Sequence, residues 1–131
     1  MTILMMNNAS KEKRVMWYML KDDKPVPADV ISPEFQEWYN NIDNRRVART
    51  DITKDIWVST VFLGLDHNLY GAGDPVLWET MIFGGSEDMY QERATTQEEA
   101  LEHHNVAVAL AKKGLENKLI RTKRKIDLLG D

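Results

Sequence analysis

Six basic side chains carry the chemistry needed to hold a phosphate. Arg45, Arg46 and Arg49 fall close together at the start of one expected strand, Arg93 ends another, and Lys112 and Lys113 stand side by side further on. Guanidinium groups offer planar, bidentate donors that match phosphate oxygens, and Phe83, with Trp17, Trp57, Trp78 and Tyr90, supplies flat rings on which a base would stack. Arg45, Arg46, Arg49, Phe83, Arg93, Lys112 and Lys113 are therefore the candidate ligand set for a small nucleotide-like anion. Such rings more often fill a core, so the set needs something to gather it. An oligomer interface joining groups from two chains would do so.

The acids and imidazoles point to other chemistry with less force. His67 follows Asp66, and His103 and His104 are adjacent. His67 and His104 with Asp66 or Glu79 would suit zinc or iron, but the spacing matches no ligand signature. Neighbouring helical residues also diverge by about 100°, so His103 and His104 do not share an ion. A helix histidine bonded to a strand or loop is the preferred reading, and no cofactor is implied. Glu79 would serve as a general acid if left alone among Leu77, Met81 and Phe83. A hairpin through Gly84-Gly85-Ser86-Glu87-Asp88 that sets Phe83 against Met89 places Arg93 across from it, which makes a structural ion pair. Ser59 and Thr60 lie mid-strand without the sharp turn that exposes a nucleophile. The glycine-bearing stretch 64–74 lacks the lysine and helix of a phosphate loop and reads as a long connection.

These side chains hang on a legible frame. Residues 56–63 and 76–83 are two nearly continuous apolar runs, rich in β-branched and aromatic residues, and read as paired central strands either covered on both faces or lying deep in the core. Residues 14–20 form a first strand, followed by a turn at 21–24 and an extended edge held by Pro25 and Pro27. Ser32-Pro33-Glu34 starts a helix that runs to about Asn41, with Phe35, Trp38, Tyr39 and Ile42 on one face. Residues 45–52 pair with 56–63 through Thr53-Lys54-Asp55, and residues 76–83 pair with 89–93. Thr96-Gln97-Glu98-Glu99 is a capping box, opening a helix whose face of Leu101, His104, Val108, Ala111 and Leu115 lies on the sheet. Gly114 ends or bends that helix. Leu115, Leu119, Thr122, Ile126 and Leu129 then trace a second seam, which docks on the domain itself or on a neighbouring subunit. The architecture is α+β: an antiparallel sheet of about five strands in the order β, α, β, β, β, β, α, with a helix packed on it. Residues 1–13 are a mobile arm, 14–114 a single domain, and 115–131 a C-terminal helical extension suited to an oligomer contact.

At 131 residues the chain suits one core. It has no cysteine, hence no disulfide and no thiolate chemistry, which fits a reducing compartment. Residues 1–6 lack the basic start of a signal peptide and nowhere do about 18 apolar residues run unbroken, so the expectation is a soluble, cytoplasmic protein without a membrane partner. A net charge of −4 argues against binding duplex nucleic acid. The charge is uneven: residues 112–131 hold seven basic and three acidic groups, a local +4 that leaves −8 on the rest.

The segments WVSTVFLGLDH (57–67), PVLWETMIFG (75–84) and YQERATTQEEALEHH (90–104), preceded by RVMWYMLKDDKPVPADV and NRRVART, resemble a family of small proteins encoded by phages and prophages. The resemblance covers roughly residues 17–111 and leaves out the basic tail. His104 matches the histidine of a Gly-His pair in that pattern, while His103 replaces the glycine. The family is similar to phage anti-defence proteins that sequester a cyclic nucleotide signal, as the anti-Thoeris sponges do. The resemblance, with the arginines beside aromatics, implies a non-enzymatic protein acting in a host cell that binds and sequesters a small nucleotide-like signal, while the helical seam of the extension is what points to a homo-oligomer. Two alternatives stand beside it: an inhibitor that binds a host defence protein, and a metal-assisted hydrolase.

Overall fold

Alternation with a period of two is the signature of a strand with one buried face, and residues 56–62 and 78–83 both show it. A computed structural model describes residues 14–68 and 70–130. The expected arm at residues 1–13 lies outside the described residues. In chain order the elements are β1 (Tyr18–Lys21), β2 (Lys24–Pro27), α1 (Pro33–Asn40), a 3-10 turn (Ile42–Asn44), β3 (Arg46–Thr53), β4 (Ile56–Phe62), β5 (Trp78–Phe83), β6 (Gln91–Ala94) and α2 (Gln97–Leu129). The fold is α+β, with the strands divided between a four-stranded antiparallel sheet, ordered β3-β4-β5-β6, and a separate hairpin β1-β2. The expected first strand at 14–20 is displaced to Tyr18–Lys21. Asp22 and Asp23 both adopt positive φ, 52° and 62°, which reverses the chain at once onto β2. Pro25 and Pro27 lack the donors to extend that pair. The hairpin is tied to the main sheet by Tyr18 N donating to Gly64 O at 2.8 Å and Asp66 N donating to Met16 O at 2.7 Å.

The two central strands lie side by side, with Trp57 opposite Phe83, Ser59 opposite Met81 and Val61 opposite Glu79. Helix α2 opens as its capping box requires, Thr96 Oγ1 accepting from Glu99 N at 3.1 Å. It then runs unbroken for 33 residues, about 50 Å at 1.5 Å per residue. Gly114 therefore does not end it. That position meets the β5–β6 loop so closely that an added Cβ would press on the Ser86 hydroxyl, and its smallness serves a close approach. The buried stripe of α2 is Ala100, His104, Ala107, Ala111 and Gly114, turned from the expected face so that Leu101 is 38% exposed. The reason is size. The sheet face below carries Val58, Phe62, Trp78 and Ile82, all at most 2% exposed, and only small side chains let the helix settle on them.

The core falls into two clusters. Ile56, Val58 and Ile82 pack with Ala107 and Ala111, while Phe62, Leu77, Trp78 and Ala94 pack with Ala100. Helix α1, capped by Ser32 Oγ accepting from Phe35 N at 3.1 Å, adds Trp38 against Phe62 at the second cluster. The expectation that the central strands are covered on both faces or lie deep in the core is corrected: α2 covers one, and the side chains of the other are only partly buried.

Gly84 holds the β5–β6 turn at φ +81°, where an added Cβ would collide with the Asp55 carbonyl of the neighbouring hairpin. Gly84→Ala should lower folding stability by about 2–3 kcal/mol, read from urea unfolding, because neither the backbone angle nor the carbonyl can yield.

Candidate functional site

Cross-strand partners share a face of a sheet, so the register lays out the side opposite α2 as rows. Asp51, Trp57 and Phe83 form one row, Arg49, Ser59, Met81 and Gln91 the next, and Val61, Glu79 and Arg93 a third, with Arg46 opposite Val61. Trp57 and Phe83 stack face to face, centroids 5.2 Å apart and planes 15° apart. The Arg49 guanidinium lies over the outer face of Trp57, 5.1 Å from its centroid. A cation, an indole and a phenyl ring thus form an ordered stack on an uncovered sheet surface. Phe83 is only partly buried, and β6, which carries Gln91 and Arg93, lies on the other side of β5 from β4.

Charge on this face is balanced in pairs. Arg93 Nε donates to Glu79 Oε2 at 3.1 Å, and Gln91 Nε2 donates to the same oxygen at 2.7 Å. Glu79 and Arg93 are thus paired as the hairpin count requires. Arg49 Nε donates to Asp51 Oδ1 at 3.0 Å. Both arginines keep more than two fifths of their side-chain surface exposed; the Arg49–Asp51 pair is exposed on both sides and of the kind that contributes about 0–1 kcal/mol, whereas Glu79 keeps only 13% of its side-chain surface in reach of water.

The seven expected ligand residues do not converge. Arg49, Phe83 and Arg93 share the open face, with the two arginines three strand spacings and one row apart, roughly 16 Å between their Cα atoms. Arg46 stands at its edge and is held by Asp43 at 3.2 Å. Arg45 is turned to α1, its Nε donating to Tyr39 O at 3.0 Å and its guanidinium 4.1 Å from the Tyr39 ring. Lys112 and Lys113 are exposed on α2, which packs on the opposite face. Ser59, Met81 and Gln91 are not among the expected ligand residues, yet they share this face. Counting by twos from Phe83 and Arg93 would have found Met81 and Gln91, and the pairing with Met81 would have found Ser59.

Asp66, His67 and His104 are occupied structurally, whereas Nδ1 of His103 is buried with no hydrogen-bond partner among the described residues. Asp66 is 1% exposed; burial alone would raise its carboxyl pKa, but the amides of Asn68 and Val76 at 2.8 and 2.9 Å and Arg14 Nε at 2.8 Å outweigh that and hold it below 3.8. It is an anchor for the connection between β4 and β5, not an acid. His67 Nδ1 donates to Leu65 O at 2.8 Å. His104 has Thr50 Oγ1 at 2.9 Å from Nε2 and Thr60 Oγ1 at 2.8 Å from Nδ1. Thr60 Oγ1 is 2.6 Å from Thr80 Oγ1, which donates to Ala100 O at 3.3 Å. A hydroxyl has one proton, so Thr80 accepts from Thr60, Thr60 accepts from Nδ1, and Nε2 accepts from Thr50. The neutral imidazole with its proton on Nδ1 completes this chain, and burial lowers its pKa below 6.5. Both ring nitrogens are engaged, and among the described residues no three carboxylate or imidazole groups are placed to hold a metal ion.

Among the described residues no helix is long and apolar enough to cross a membrane. Set beside protein-family models, curated proteins and solved structures, the chain matches none.

The lowered His104 value makes stability depend on pH. Above 6.5 the imidazole is neutral folded and unfolded, and its contribution is complete. As pH falls below 6.5 the unfolded chain takes up a proton that the folded one resists, so stability is lost until the lowered folded value is reached. Asp66 repeats the pattern below 3.8. Urea unfolding across this range should show both losses. His104→Gln should remove the upper one and cost about 2–3 kcal/mol at neutral pH.

Proposed function

We propose that the protein is a non-enzymatic binder that captures a small nucleotide-like signal on the open face of its sheet. The stacked Trp57–Phe83 pair with Arg49 over it carries this reading, because planar rings held rigidly on an uncovered sheet are the means by which a base is gripped without regard to its edge. A base added to the free face of Phe83 lies toward Gln91 and Arg93, where an amide and a guanidinium meet polar edges or a phosphate. The residues that would do chemistry are engaged elsewhere: Asp66 is an ionised anchor, and His104 is locked between threonines. The resemblance of residues 17–111 to phage and prophage proteins supports a role in sequestering a host defence signal in the cytoplasm of the host cell.

Calorimetric titration with a panel of mononucleotides, cyclic nucleotides and dinucleotides tests the reading. At least one should bind, raise the melting temperature and be recovered unchanged after denaturation. Phe83→Ala should weaken that binding by about 1–3 kcal/mol, the worth of one base stack, and Arg93→Ala by about 1 kcal/mol. Recovery of an altered nucleotide would point to an enzyme. Capture of one host protein with no response to any nucleotide would support the inhibitor reading.

A further inference from the structure

The distal half of α2 leaves the domain. From Glu116 to Gly130 every residue is exposed, yet Leu119 (60%), Ile120 (43%) and Ile126 (62%) are large and apolar. Lys112, Leu115, Glu116, Leu119, Ile120 and Lys123 line one groove there. Their spacings of three, one, three, one and three place them on a single face of the helix. Lys118 and Lys125 fall about 130° or more from the middle of that face, so the basic excess of this segment lies mostly outside it. An apolar face of this kind on an isolated helix calls for a partner surface.

The charges within the groove say which one. Parallel pairing of two copies in register sets Lys112 on Lys112, Glu116 on Glu116 and Lys123 on Lys123. Reversing one helix about the midpoint between Leu119 and Ile120 sets Glu116 opposite Lys123 of the partner subunit and Lys112 opposite Asp127 of the partner subunit, each pair made twice by the two-fold axis. The same operation sets Leu119 opposite Ile120 of the partner subunit, and it runs the two helix dipoles head to tail. We propose that the protein is a homodimer built by antiparallel pairing of the α2 groove, with these ion pairs fixing direction and register. This goes beyond the sheet-face reading and does not rest on it, since the groove and the open sheet face share no residue.

Sedimentation equilibrium of the full chain over a range of concentrations should fit a monomer–dimer equilibrium. Glu116→Lys should weaken the dimer about tenfold or more, since the two-fold turns two attractions into repulsions, and Glu116→Lys with Lys123→Glu should restore it. Leu119→Glu should give a monomer of unchanged circular dichroism, as the side chain is exposed. The chain has no cysteine, so direction can be read by cross-linking. A mixture of Glu116→Cys and Lys123→Cys chains should form the mixed disulfide, whereas Glu116→Cys alone should not. A monomer at every concentration, an assembly larger than a dimer, a charge swap that fails to restore, or ready self-linking of Glu116→Cys would each overturn the proposal.

Discussion

Where α2 meets the sheet, the hydroxyls of Thr60 and Thr80 and the imidazole of His104 are shut away from water, with half-buried Thr50 at the end of the chain, and they must satisfy one another. Thr60 lies between Val58 and Phe62 on β4, Thr80 between Trp78 and Ile82 on β5, and His104 between Ala100 and Ala107 on α2. The two apolar clusters of the core therefore sit on either side of this polar chain. Apolar packing alone tolerates a helix slipped or turned by a residue, whereas buried polar atoms left without partners cost about 1–3 kcal/mol each. The hydroxyl–imidazole chain consequently fixes both the height of α2 and its rotation. It also explains why the stripe of Ala100, Ala107, Ala111 and Gly114 faces inward in place of larger neighbours.

That rotation determines what remains for binding. One helix laid on one side of a four-stranded sheet satisfies the residues of that side and leaves the alternate set uncovered. Trp57 and Phe83 shield each other by stacking, and this is how two large rings remain only partly buried without a second layer over them. The arginines on this face are each matched by a carboxylate, so a ligand there gains more from ring stacking than from net charge. The surplus of positive charge lies elsewhere, along the exposed length of α2.

The fold was legible to a large extent because its signals are local. Ser32-Pro33 and Thr96-Gln97-Glu98-Glu99 mark helix starts through side chains that reach three residues along their own backbone. The pairing of Glu79 with Arg93 follows from counting back through a hairpin. Less was legible where long-range partners decide. Gly114 reads as a helix breaker by propensity, but in the fold it lies within the helix where the Ser86 loop comes closest. The turn at 21–24 is legible in its short acids, but nothing local shows that the hairpin it closes stands apart from the main sheet. The candidate ligand residues were chosen by type, and type does not report the side of a sheet or the end of a strand on which a side chain stands.

What could be read from the order of residues was every feature governed by neighbours a few positions apart: strands, caps, hairpin turns and the pair they bring together. The division of Arg45, Arg49 and Lys112 among three separate surfaces belongs to the folded molecule. So does the fate of His104, whose chemistry as an isolated side chain is compatible with metal, proton transfer or structure. Its role is settled by Thr50 and Thr60, 54 and 44 residues away along the chain, because a hydrogen bond responds to distance in space and takes no account of separation in sequence.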